Sequence, residues 1–309
     1  MGLRIRTNVA SLTSQRRLGQ ATDALANSGN KLSSGERINK AADDAAGLSI
    51  SENLRADVRG LNQAKRNALD GVSLVQTAEG GLMETTNMLV RLRELAVQAA
   101  SDTIGNTERE FVDREFVALK DEIDRIANST EFNGTRLLTG GKELAEEMGP
   151  SNPFPLEIQV GKDYYAEADA LVDDNSNNPI NIIRIDLQGL NAFTDGEGSL
   201  ELGAREEGAR VNDKVSAQSS ISVLDKAITR VNDYRSYLGA IQNRFQSTIN
   251  NLGVQVENLD TARSRIRDTD FASETALYTQ AKILQQAGTS VLAQANQQPS
   301  IALGLLQSM

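Results

Sequence analysis

Proline is confined to two places in this chain of 309 residues. Pro150, Pro153, Pro155 and Pro179 share one central segment and Pro299 lies near the C-terminus, so residues 1–149 and 180–298 contain none. A proline inside a helix removes a hydrogen bond and strikes the preceding turn, so both stretches are free to form long unbroken helices. The hydrophobic pattern uses that freedom. Counting alternately four and three from Leu54 reaches Val58, Leu61, Lys65, Ala68, Val72, Val75, Glu79, Leu82, Thr86 and Leu89, eight of eleven apolar. The same count from Leu224 to Ile266 gives ten apolar positions of thirteen. Heptads sustained this long predict helices packed at coiled-coil angles. They cover about residues 45–101 and 220–267, and each would be roughly 70–85 Å long.

Two matched rods at opposite ends of a sequence most simply lie antiparallel. A shorter run, Val112, Phe116, Leu119, Ile123 and Ile126, follows a capping-box signal at Thr107-x-x-Glu110 and predicts a third helix beside them. The polar interruptions of the heptads, Lys65, Glu79, Arg235 and Arg263, read as register-setting residues. The middle changes period: residues 155–160 and 181–187 alternate like strands between Asp, Asn and Gly. The expected fold is mainly α, a long antiparallel heptad-patterned helical bundle formed by both chain ends, with a small β-rich central insertion.

The termini carry further stripes. Leu18, Leu25 and Leu32 repeat at seven, ahead of a helix stop at Ser33-Ser34-Gly35. Leu277, Ala281, Leu284, Gly288, Val291 and Ala295 step alternately four and three, and half of them are small, which lets helices approach closely. Helices of this size are marginal alone in water. They can pair, but an apolar stripe is expected to remain, and such surfaces mark contacts with other subunits.

Composition narrows the chemistry. The chain has no His, no Cys and no Trp, which removes the commonest zinc, copper and nucleophile sites and any disulfide framework. No segment approaches the ~18 apolar residues of a membrane span. The N-terminus lacks the apolar run of a signal peptide, and neither Arg16-Arg17 nor Gly2 fits a twin-arginine or myristoylation signal. A soluble chain is expected, either cytoplasmic or exported without a cleavable signal and without membrane insertion. The net charge of −10 resides wholly in residues 141–210, which hold 15 acids and 5 bases. Residues 1–40 are basic, but no aromatic residue accompanies them, so no nucleic-acid partner is expected.

Asp43 and Asp44, within Ile38–Ser51 (INKAADDAAGLSIS), are the most conspicuous candidate for chemistry. Neighbours on a helix point about 100° apart and cannot face one ion, so the pair reads as the cap of the long helix, where carboxylates accept orphan N–H groups. Ser49-x-x-Glu52 offers a competing capping box slightly later. Asp173-x-Asn175-x-Asn177 opens like a calcium loop but has Asn178 and Arg184 where Gly and Glu are required. Gly140-Gly141-Lys142 lacks the first glycine of a phosphate loop. Asn128 and Asn133 match the short glycosylation pattern, which arises often by chance. No catalytic, cofactor-binding or metal residue is assigned.

Several long phrases occurring in order resemble bacterial flagellin: RIRTNVASL near the start, Ile38–Ser51 itself, RELAVQ (93–98), EIDRIANSTEFNGTRLL (122–138), ENLDTARSRIRDTDFASETA (257–276) and ANQQPSIALGLL (295–306). The resemblance spans roughly residues 1–140 and 217–309. It implies a structural subunit that self-assembles into an extracellular helical filament for swimming, with no enzymatic activity and no cofactor. Residues 1–41 and 269–309 would form the helices of an inner-tube domain that order on polymerisation. Residues 42–139 and 219–268 would form the outer-tube domain, and 140–218 a variable, acidic, surface-exposed region. Leu18, Leu25, Leu32, Leu277, Leu284, Val291, Leu305 and Leu306 would be assembly residues, and Asp43 and Asp44 would lie in a connector.

The resemblance further implies a flagellar export chaperone, the type III export apparatus, and filament cap and hook-associated proteins as partners. It also implies a candidate epitope for the flagellin-sensing Toll-like receptor of animals at Arg91, Leu95, Gln98 and Glu115, although Val90 departs from the polar residue often found before that Arg. A hook–filament junction protein, related in its terminal helices, is the alternative. A protease carried in the insertion, as in some members, is disfavoured by the absence of His.

Overall fold

A computed structural model describes residues 8–140, 154–163, 180–195, 199–203 and 208–307, with the side chains of 298–307 left aside. Its elements in chain order are α1 (Val9–Ser34), α2 (Ala45–Ala99), α3 (Asn106–Ser129), β1 (Glu131–Phe132), β2 (Thr135–Arg136), β3 (Leu156–Gln159), β4 (Ile182–Ile185), α4 (Lys214–Arg267) and α5 (Phe271–Gln307). The chain divides into two compact units: residues 1–58 with 257–309, and residues 59–256. No described helix is long and apolar enough to cross a membrane.

The two long helices fall where the heptads put them, except that α4 begins at Lys214, ahead of the expected start near residue 220. In the larger unit their partners step in opposite directions, which makes α2 and α4 antiparallel. Lys214 pairs with Asp102 at 2.6 Å, Asp225 with Arg93 at 2.7 Å and Arg235 with Glu79 at 3.7 Å. Two of the polar heptad interruptions, Glu79 and Arg235, therefore meet each other. Heptad positions Ala68, Val75, Leu82, Leu89, Leu224, Val231, Leu238 and Phe245 are all buried. The expected capping box of α3 is not used: Gly105 takes the cap position, and no side chain bonds the helix end. The β1–β2 hairpin turns through Asn133 and Gly134, both at positive φ (49° and 79°), as a two-residue hairpin loop demands.

The predicted strands pair antiparallel, Leu156 opposite Ile185 and Gln159 opposite Ile182. The segment after β4 departs from expectation. Leu187, Leu190, Ala192, Phe193, Leu200, Leu202, Ala209 and Val211 are buried and join the helical core, so this part of the insertion does not stand outside it. Polar side chains on α3 hold it there. The Asp124 carboxylate accepts from the Thr194 amide (2.8 Å) and hydroxyl (2.9 Å), and Asp113 accepts from the Val211 amide (3.0 Å) and ion-pairs with Arg210. Lys120, 1% exposed, donates to the carbonyls of Leu202 (3.2 Å) and Ala209 (3.3 Å), and burial pushes its ammonium pKa down. Lys120→Met keeps the length and removes the donor. It is expected to lower stability by roughly 1–3 kcal/mol, since buried carbonyls lose a charged donor, as read from urea unfolding of the intact chain. The calcium-like stretch 173–178 and Lys142 lie outside the described residues.

Candidate functional site

The smaller unit is built on α1 and α5. Partners again step in opposite directions: the Asn8 amide donates to the Ala295 carbonyl (2.7 Å), the Ser11 hydroxyl bonds Asn296 (2.7 Å), and Lys31 faces Glu274 at 4.0 Å. Asn8 also caps α1 by accepting from the Ser11 amide at 3.1 Å. Small residues line the seam. Ser11, Ala21 and Ser28 of α1 and Ala281 and Ala295 of α5 are buried. A Cβ on Gly288 would sit 3.3 Å from Leu18, and one on Gly29 would sit 3.6 Å from the Tyr278 ring. The seam takes a large side chain where a glycine faces it, as at Leu18 and Tyr278.

Leu277, Leu284 and Val291 are 50%, 54% and 53% exposed, while Leu18, Leu25 and Leu32 are half-buried. Of the C-terminal stripe, then, the small half closes the pair and the large half faces outward with Val9, Leu12 and Ile283. A groove of about 780 Å³ runs along this pair, lined by Ala21, Ala281 and Gly288 and by Leu277, Leu284 and Val291. Leu305 and Leu306 continue α5, with their side chains outside the description.

The two connectors meet at the base of the pair. Gly35 ends α1 in the left-handed conformation (φ 73°), its amide bonded to the Lys31 carbonyl, which suits a residue without Cβ. The Arg37 amide then donates to the Arg267 carbonyl (2.6 Å), the Thr269 amide donates to the Gly35 carbonyl (2.9 Å), and the Arg37 guanidinium donates to the Ile266 carbonyl (2.6 Å). Arg267 ion-pairs with Glu36 at 2.9 Å and with Glu52. That hydrogen bond from Arg267 holds the Glu52 carboxyl below its ordinary pKa.

The two aspartates divide their work. Asp44 accepts from the Gly47 amide at 2.9 Å, three residues into the turn, which is N-cap geometry for α2. Asp43 instead accepts from the amides of Asn39 (3.1 Å) and Lys40 (2.9 Å), and these bonds, Lys40 first, hold its pKa down. The Ser49–Glu52 box is not formed, because α2 already begins at Ala45 and Ser49 lies inside it; Glu52 turns to Arg267. Ile38 is buried over Gly47, where a Cβ would meet the Asp44 carboxylate and lie 2.8 Å from Ile38 Cδ1. Gly47→Ala is expected to cost roughly 1–3 kcal/mol by overpacking, despite alanine's better helix propensity. Gly253→Ala, where nothing lies within 4 Å, is expected to gain roughly 0.5–1 kcal/mol. Thermal unfolding of the two variants checks the contrast.

On the larger unit, Arg91 bonds Glu115 (2.8 Å) and Glu94 (3.1 Å), which raises its pKa, Glu115 contributing most. Arg91, Gln98 and Glu115 are exposed, whereas Leu95 is 1% exposed and belongs to the core beneath them. Among the described residues no group of three or more His, Cys, Asp or Glu side chains is placed to hold a metal ion. Sequence reasoning passed over Glu36 and Arg267 and read Glu52 as part of a capping box; their charges look like ordinary surface until the connectors bring them together.

The family model for the bacterial flagellin N-terminal helical region matches residues 5–143, and that for the C-terminal helical region matches residues 221–306. The chain is 41% identical over 307 residues to a flagellin of Bacillus subtilis, covering 99% of this chain and 100% of that protein. It is 38% identical to polar flagellin C of Vibrio parahaemolyticus, again across 99% of this chain and 100% of the relative. A solved structure of a putative flagellar hook-associated protein from Vibrio parahaemolyticus superposes with a TM-score of 0.55 at 15% identity, covering 73% of this chain and 100% of that one. At that identity the likeness concerns the fold alone.

Proposed function

The chain belongs to the bacterial flagellin family, a family of filament subunits, and from that premise we propose how its parts divide the work of building an extracellular flagellar filament. Residues 1–41 and 269–309 are the assembly elements of an inner tube, and their folding completes on polymerisation. The observation that carries this reading is the outward apolar face of the α1–α5 pair, with Leu277, Leu284 and Val291 each at least half exposed. Neighbouring copies would cover that face, and the area removed from water would offset the ordering entropy of the ends. Residues 42–139 and 219–268 form the outer-tube part and contain the long helices. Residues 140–218 include the outer region, narrowed by the part around Leu187, Leu190, Phe193, Leu200, Leu202 and Val211, whose side chains sit in the helical core. Asp43 and Asp44 shape the connector, one holding its turn and the other capping α2.

Full-length similarity to flagellins supports the filament subunit over the hook-associated alternative. The subunit acts through repeated packing surfaces and performs no catalysis. Export would run through the type III apparatus with a chaperone masking the terminal helices, and assembly would proceed under the cap on hook-associated proteins. Recognition by an animal Toll-like receptor would use the exposed Arg91, Gln98 and Glu115, with Leu95 supporting them from below. Electron microscopy of purified protein under polymerising conditions, with and without filament seeds, tests the central reading. Long filaments are expected, and their absence in both conditions would overturn it.

A further inference from the structure

The base of the α1–α5 pair is held by an arrangement that the heptad pattern does not require. Two backbone bonds join the connectors as a short antiparallel bridge, Arg37 to Arg267 and Thr269 to Gly35. Over that bridge one guanidinium collects carboxylates from two different segments, Glu36 of the first connector and Glu52 of α2. Arg267 is also the last residue of α4, so its side chain ties the end of one long helix to the start of the other. The charged groups around it are all accounted for by position. Arg55 lies 3.2 Å from Glu52 on the same helix face, Arg37 is turned to the Ile266 carbonyl, and Asp268 pairs through its backbone with Glu36. Arg267 is the less exposed partner of both pairs, at 16% against 33% and 44%, so water screens it less than a rim charge.

We propose that Arg267 is a positioning residue for assembly, a clasp that holds the two connectors together and so fixes how α1 and α5 leave the first turns of α2 and the last turns of α4. The inference rests on the reading that the terminal helices are the assembly elements. A helix pair must present its outward apolar face at one fixed angle to stack on identical copies, because a helical polymer repeats every error in every subunit. A planar guanidinium suits the task, since its fork can take two carboxylates at once, while an ammonium offers a point charge. Acid opens the clasp. A carboxyl whose folded pKa is depressed contributes above its ordinary value near 4 and loses that contribution as pH falls through the lowered value, and Glu52 is such a group.

The test uses the full chain and seeded filament elongation, read as critical concentration against pH. Arg267→Gln is expected to raise the critical concentration roughly tenfold at neutral pH and to flatten the rise expected of the wild type below about pH 4. Arg267→Lys, which keeps the charge but not the fork, should recover part of the loss. Glu52→Gln, an isosteric change at an exposed residue, keeps the test open if Arg267→Gln does not fold. Arg267→Gln or Glu52→Gln elongating as wild type at every pH overturns the clasp. Persistence of filaments after loss of residues 277–309 would instead remove the assembly reading beneath it, so the two failures are distinguishable.

Discussion

A chain ending at Ala276 should remain soluble and largely helical and should form no filaments, even with seeds and at concentrations that polymerise the intact protein. The truncation removes residues 277–309 and with them Ala281, Gly288 and Ala295, the side of the seam that α1 packs on. It also removes Leu277, Leu284 and Val291, the large residues of the outward face. The core of the larger unit, centred on Leu82, Leu89, Phe116, Leu238 and Phe245, is untouched. Circular dichroism should therefore lose only the signal of α5 and of α1, which without its partner falls to the marginal helicity of an isolated helix. Sedimentation and electron microscopy read the assembly. Filaments of normal appearance from the truncated chain would show that the terminal pair is not the assembly element.

Phe245→Ala is expected to lower stability by about 3–5 kcal/mol, the range for removing a buried aromatic ring, and the thermal midpoint of the full chain by roughly 10 °C. The reason lies on the opposite helix. Gly71 of α2 stands directly under the ring, where an added Cβ would lie 2.7 Å from Phe245 Cζ. The ring fills a hole made by the missing side chain, a knob seated where only glycine leaves room. Gly71→Ala alone should cost roughly 1–3 kcal/mol by overpacking. The double variant should be more stable than the sum of the two losses, because the methyl occupies space the ring has left. Urea unfolding of all four proteins measures this coupling, and strictly additive losses would show that the two residues do not share one space.

The sequence is legible where burial follows a period. Val75, Leu82, Leu89, Leu224, Val231 and Leu238 can be placed in the core from spacing alone, because a heptad repeats one packing environment along a helix. The terminal stripe shows the limit of that signal. Ala281 and Leu284, or Gly288 and Val291, share one repeat, and period does not say which member faces the partner helix. Close approach decides it: the small ones enter the seam and the large ones turn outward. Leu95 is readable as part of a motif but not as a core residue, since the face of α2 that packs widens there to include Leu92, Leu95 and Ala96. The burial of Phe193, Leu200 and Leu202 leaves no trace in the pattern at all. No repeat organises these residues, and the groups that hold their segment are spread along α3 at Asp113, Lys120 and Asp124.

That spread has a consequence for change over time. Asp113, Lys120 and Asp124 of the helix, and Arg230 of α4, take hold of amides and carbonyls at Val211, Leu202, Ala209, Thr194 and Ser199. Every amino acid except proline offers the same amide, and all offer the same carbonyl. Where only the backbone is held, as at Leu202, Ala209 and Ser199, the grip is indifferent to the residue it holds, whereas Thr194, whose hydroxyl also reaches Asp124, and Arg210, paired with Asp113, are tied by their side chains. At the former positions the scaffold works like a frame whose clips accept any picture of the right thickness.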